Sequence, residues 1–252
     1  MNLTSFQPGA NVAVIGASGG IGAAFCRALA ASESVRVVHA LSRSSTEFED
    51  PAICPSTVDM LDEASLAHAA ERVAADGPLE LVIVATGILH RGELQPEKAL
   101  RDISGNAMLD VLRVNTVGPA LVAKHFLPLM RRRGKSVFAA LSARVGSIDD
   151  NRLGGWVSYR ASKAALNQAL KTLAIEHARR WPEGVIAALH PGTVATDLSA
   201  PFSSRVPPEK LFTPEVAAAH LLRVIDDRSP FPFPGRSLFQ QPGRRRPPFH
   251  LA

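Results

Sequence analysis

The chain has 252 residues, 46% of them hydrophobic and 20% charged, which is enough to bury one large core. No apolar run approaches the ~18 residues of a membrane span, and the first eight residues carry neither a basic start nor an apolar stretch, so a cytoplasmic protein with no membrane partner is expected. Cys26 and Cys54 are the only cysteines and belong to no Cys-x-x-Cys or Cys/His cluster, so they read as reduced structural residues and no metal is expected. The formal charge of +5 includes basic runs at 131–133, 179–180 and 244–246. No aromatic residues interleave with them, and two fall where helices should end, where arginine complements the helix dipole; no nucleic-acid partner is expected, although a salt-dependent nucleic-acid binder is the rival reading.

In chain order, short apolar runs at 11–15, 35–41, 53–58, 79–85, 136–141 and 185–189 read as buried strands. Amphipathic stretches at 21–31, 63–75, 103–133 and 157–181 alternate with them, and a last helix is expected at 214–227. Strands apolar on both faces, alternating with helices, imply a Rossmann-like doubly wound parallel sheet: an α/β fold in three layers. We read residues 1–228 as one domain and 229–252 as a tail rich in proline and arginine, in which 235–239 offers one further short strand.

The first strand is followed at once by Gly16-Ala17-Ser18-Gly19-Gly20-Ile21-Gly22, which opens a helix. Glycines let the backbone turn sharply and approach a pyrophosphate, and the helix N-terminus offers free N–H groups to the anion; a tight turn without a ligand would look alike. The second strand ends in Ser42, Arg43 and Ser44, with no acid to grip a ribose. Arg43 can pair bidentately with a 2′-phosphate, with Ser42 or Ser44 donating, which favours NADP(H); the alternative is an ordinary exposed arginine. Asp59, after the third strand, is placed either to accept from an adenine amino group or to cap the next helix. Tyr159 is the only tyrosine, and Lys163 follows it by one helical turn. An ammonium on that face would favour the ionised phenol and make it an acid or base near neutral pH, whereas a buried core tyrosine would titrate above its reference.

With the glycine turn, Ser142 and the Tyr159/Lys163 pair in this order, the chain resembles the short-chain dehydrogenases/reductases over roughly residues 10 to 228. The resemblance implies that Ser142 holds a substrate carbonyl, Tyr159 donates the proton, Lys163 binds the nicotinamide ribose and lowers the tyrosine pKa, and Asn115 anchors a water relay to that lysine. It implies cofactor contacts at Met60, at Ala85, Thr86 and Gly87, and in the loop over the nicotinamide at Pro191, Gly192, Val194 and Thr196. The family's usual Asn-Asn-Ala-Gly is here Val84-Ala85-Thr86-Gly87, so hydrogen bonds that steady the sheet must be made otherwise. An insertion at 149–156 and the run 86–90 are similar to the subgroup of the bacterial C-factor signalling proteins and Sniffer-type carbonyl reductases. The implied activity is NADPH-dependent reduction of a carbonyl, with a small-molecule carbonyl or alcohol as substrate and a homodimer or homotetramer formed through the two long helices. The alternative is a non-catalytic NADP(H)-binding signalling protein. Trp156, Val194 and 198–202 are candidates for an apolar substrate pocket, and His90 reads as a loop residue.

Overall fold

A computed structural model describes residues 3–227 together with 239 and 240. Strands β1 (Ala10–Ile15), β2 (Val35–Ser42), β3 (Ile53–Thr57), β4 (Leu81–Val84), β5 (Ser136–Leu141), β6 (Gly184–Leu189) and the short β9 (Phe239–Gln240) form one parallel sheet in the order β3-β2-β1-β4-β5-β6-β9. Two further short strands, β7 (Thr193–Val194) and β8 (Leu211–Phe212), pair with each other beside it. The expected strand at 235–239 is met only by Phe239 and Gln240, which pair with Ala188 and Leu189 of β6; residues 235–238 and the rest of the tail lie outside the described residues.

Side chains alternate along each strand, so the sheet feeds two cores. Val12 and Val14 of β1 pack with Phe25 and Leu29 of α1 (Gly20–Ala30) and with Leu221 and Leu222 of α6 (Pro214–Asp226). Ala13 and Ile15 face the opposite layer, with Leu66 and Val73 of α2 (Glu63–Ala74), Phe126 of α4 (Gly118–Phe126) and Leu166 and Leu170 of α5 (Val157–His177). These three layers are the doubly wound arrangement read from the alternating pattern. The order of strands reverses between β1 and β4, and the crevice at their carboxyl ends is where such sheets bind ligands.

The stretch 103–133 is not one helix. Ser104 caps α3 (Gly105–Leu112) by accepting from the Ala107 N–H, a single π turn follows at Arg113–Val117, and α4 then begins. Pro119 explains the break, because it cannot donate to the carbonyl four residues back, that of Asn115. Arg131 to Arg133 therefore fall in a loop. Arg131 pairs with the buried Glu80 carboxylate, which also accepts from the Asn11 N–H at 2.7 Å, and Arg132 lies over the Trp181 ring at 5.2 Å. Of the two cysteines, Cys26 is buried in the core and Cys54 is exposed on β3. Among the described residues, no helix is long and apolar enough to cross a membrane.

The turn from β1 into α1 leaves no room for a side chain at Gly22, since a Cβ there would lie 2.0 Å from the Gly16 carbonyl oxygen. Gly22→Ala should therefore lower stability by ~1–3 kcal/mol or more, read as a fall in the urea midpoint. An unchanged midpoint would show that this close approach is not a constraint on the fold.

Candidate active site

The glycine turn lies at the carboxyl end of β1. Gly16 has φ +93°, and a Cβ there would meet the Thr86 methyl at 2.8 Å and the Ala85 carbonyl carbon at 3.2 Å. Only glycine fits where the β1 and β4 loops touch. Gly19 caps α1 without a side chain, and no acid occupies the first turn. The N–H groups of Gly20, Ile21 and Gly22 open the helix, where no partner exists four residues back. Ser18, Gly19 and Gly20 are exposed. This donor set suits an anion, and a Cβ on Gly19 would meet nothing closer than the Gly16 carbonyl at 3.5 Å. A Cβ on Gly20 would instead press on the Thr196 methyl at 3.1 Å, so this glycine also sets the distance to the 191–196 loop.

Around this turn, Arg43 is exposed at the end of β2 and makes no ion pair among the described residues, while the Ser42 hydroxyl donates to the Ser44 carbonyl at 2.7 Å. Asp59 is not the helix cap: Asp62 fills that place, and the Asp59 carboxylate accepts from the Leu61 N–H at 2.9 Å in the loop before α2. The Thr86 hydroxyl donates to the Met60 sulfur at 3.2 Å, which joins the loops after β3 and β4.

Asn115 sits in the π turn with none of its surface exposed. Its side-chain oxygen accepts from the Ile88 N–H at 2.8 Å, and its amide donates to the Ile88 carbonyl at 2.8 Å and to the Ser162 hydroxyl at 3.1 Å. Ser162 in turn donates to the Tyr159 carbonyl at 2.8 Å. These bonds fix the backbone of the loop after β4 at Ile88. A Cβ on Gly87 would lie 3.6 Å from both Asn115 Oδ1 and Lys163 Nζ, so these two groups converge under the β4 loop.

Ser142 follows β5, and its hydroxyl donates to Asn167 Oδ1 at 2.7 Å. Sequence reasoning missed Asn167. Its signal was its spacing, since Tyr159, Lys163 and Asn167 recur every fourth residue on one face of α5. In the neighbouring loop, Gly192 has φ +80° against the Phe212 ring, Val194 is buried in β7, and the Val194 carbonyl accepts from Ser199 and from Thr196. Pro191 and Thr196 are half-buried at the edge of the same loop. His90 lies in a loop, as read, and its Nε2 bonds to the carbonyls of Asp197 and Leu198 at 3.1 and 3.2 Å.

The electrostatics of the pair on α5 overturn one expectation. Lys163 keeps 3% of its surface exposed, donates to the Leu141 carbonyl at 2.8 Å, and lies 5.8 Å from the Tyr159 ring centre. Burial pushes this ammonium down to about 8. Although Tyr159 is only half-buried overall, burial pushes its phenol up to about 12, in the sense opposite to the lowering expected from Lys163. The ammonium is committed to a backbone carbonyl, and desolvation of the phenolate outweighs its attraction.

With one tyrosine in the chain, ultraviolet difference absorbance of tyrosinate reads this phenol alone. Its midpoint in the protein without ligand should lie above the reference of ~10 and should stay there in Lys163→Met. A midpoint below the reference that rises in Lys163→Met would restore the lysine as the controlling charge.

The family model described as short chain dehydrogenase matches residues 10–206. A 1-hydroxy-2-glutathionyl-2-methyl-3-butene dehydrogenase of Rhodococcus sp. (strain AD45) is 33% identical over 179 residues, 69% of this chain and 71% of the relative. The C-signal of Myxococcus xanthus is 34% identical over 133 residues, 52% of this chain and 74% of its own. Among solved structures, an NADPH-bound carbonyl reductase from chicken fatty liver superposes with a TM-score of 0.78 at 25% identity, covering 93% of both chains. A sheet with its crevice at the β1/β4 reversal, a glycine turn opening α1 and a serine, tyrosine and lysine gathered at the ends of β5 and α5 accompany these likenesses, and the chain belongs to the short-chain dehydrogenase family.

Proposed function

We propose that the protein is an NADP(H)-dependent reductase of carbonyl compounds in which Ser142, Tyr159, Lys163 and Asn115 carry the reaction. The observation that carries this reading is the convergence of Lys163 Nζ and the Asn115 side chain beneath the β4 loop, with the Tyr159 ring centre 5.8 Å from that ammonium, beside a glycine turn that no side chain caps. When bound, the reduced nicotinamide supplies a hydride to the substrate carbon. The N–H groups at the start of α1 hold the pyrophosphate, and Arg43, exposed and without an ion-pair partner among the described residues, takes the 2′-phosphate. Thr86, Gly87 and the 191–196 loop would hold the nicotinamide half of the cofactor.

Ser142 orients the carbonyl oxygen, for which its hydroxyl must turn from Asn167 toward the substrate. Tyr159 gives its phenolic proton to that oxygen as negative charge gathers there. A phenol raised to about 12 stays protonated at neutral pH, and an alkoxide is a stronger base than its phenolate, so the transfer runs downhill. Lys163, pushed down to about 8, is a proton source matched to that range and restores the phenol, with Asn115 fixing the loop across which protons arrive from solvent.

The NADPH-bound chicken carbonyl reductase and the Rhodococcus dehydrogenase support a redox reading of this site. A second reading, an NADP(H)-binding signalling protein without turnover, draws on the likeness to C-signal and on a phenol that titrates above its reference. A panel of aldehydes, ketones and quinones, followed by loss of NADPH absorbance, decides between them. Tyr159→Phe should retain NADPH binding and lose turnover by ~10²-fold or more. Full activity in that variant would remove the tyrosine from the mechanism, and no turnover of any probe by the unaltered protein would leave the signalling reading.

Cofactor choice gives an independent check. The bidentate contact from Arg43 is worth ~1.5–3 kcal/mol, so NADPH should bind more than tenfold tighter than NADH, and Arg43→Asp should reverse the order. Equal affinity in the unaltered protein would refute the assignment of Arg43.

A further inference from the structure

Helix α5 starts without a cap of its own. The residue in the cap position, Trp156, has φ 52° and ψ 44°, is the only non-glycine residue at positive φ among the described residues, and offers no capping side chain. A bulky residue in the left-handed region is strained and persists only where its surroundings hold it. Glu97 supplies the hold from 61 residues earlier in the chain. Its carboxylate, 5% exposed, accepts from the Ser158 N–H at 3.3 and 3.2 Å and from the Ser158 hydroxyl, and its backbone carbonyl accepts from the Trp156 N–H at 2.6 Å. An anion is favoured there by the free N–H groups and the positive end of the helix dipole.

Two aromatic contacts depend on that turn. The Trp156 ring stands edge-on to Tyr159 at 6.3 Å and to Phe202 at 5.0 Å, and Phe202 meets His90 at 5.8 Å. The segment 88–97 thus grips three parts of the site: the π turn through Ile88, the 197–202 loop through His90, and the start of α5 through Glu97. Tyr159 is the residue immediately after the one that Glu97 holds.

We infer that Glu97 is a positioning residue that locks the first turn of α5 from outside the helix, so that Tyr159 is presented at the pocket and Trp156 walls it. The inference rests on the reductase reading for its effect on turnover. The lock itself is read separately, by amide exchange. In Glu97→Ala, the Ser158 amide should exchange about fivefold faster, as after loss of an N-cap, and kcat for the best substrate of the carbonyl panel should fall roughly tenfold to hundredfold from misplacement of the phenol. NADPH affinity should stay within about twofold, because the glycine turn is untouched. Glu97→Gln keeps the volume and one acceptor oxygen and should recover most of both losses; it also carries the test should Glu97→Ala fail to fold. Unchanged exchange and kcat in both variants would overturn the proposal, as would losses of kcat and NADPH binding that merely follow the folded fraction. Should the unaltered protein reduce no carbonyl, the reductase reading fails, and the exchange measurement still decides whether Glu97 holds the turn.

Discussion

Leaving the Lys163 ammonium with 3% of its surface exposed costs free energy that hydrogen bonding must offset, and the Leu141 carbonyl at 2.8 Å is the partner the fold supplies. That bond requires α5 to lie against the end of β5 in one register. Once it does, Ser142 follows Leu141 at the carboxyl end of β5, Asn167 accepts from the Ser142 hydroxyl one helical turn after Lys163, and Tyr159 stands one turn before it. The arrangement of the candidate site is therefore a consequence of packing one helix on one strand.

The π turn has a matching role on the other side. Withholding an N–H at Pro119 opens the helix by one residue, and Asn115 is the side chain that the opening points at the β4 loop. Its two bonds to Ile88 fix the backbone of that loop as a strand neighbour would.

The parallel sheet, its two faces and the glycine turn were legible in the sequence because each follows from a local pattern: apolar runs such as Leu81–Val84, helical spacing such as that of α2, and a glycine cluster between β1 and α1. The break at Asn115 was not, since a π turn depends on one proline within a stretch that is otherwise helical in period. The pairing of Arg131 with Glu80 was not legible either, because it turns on side-chain contact between distant segments, and Asp62 caps α2 in place of Asp59 because two aspartates stand within one turn of the helix start and local pattern does not choose between them. The sign of the Tyr159 shift was misread for a similar reason. Helical spacing brings an ammonium to the face, but only packing reveals that a carbonyl has claimed it and that the phenol is desolvated.

Glu80 holds the opposite rim of the sheet. With Arg131 and the Asn11 N–H it closes the amino ends of β1 and β4, and the six residues of β1 carry that rim about 20 Å from the strand's carboxyl end. Groups so far apart, with no shared neighbours, contribute independently. The molecule is in this sense divided lengthwise: an anchoring rim that can be reinforced or weakened without touching chemistry, and a reactive rim whose loops can be re-cut for a new ligand while the anchor stays as it is.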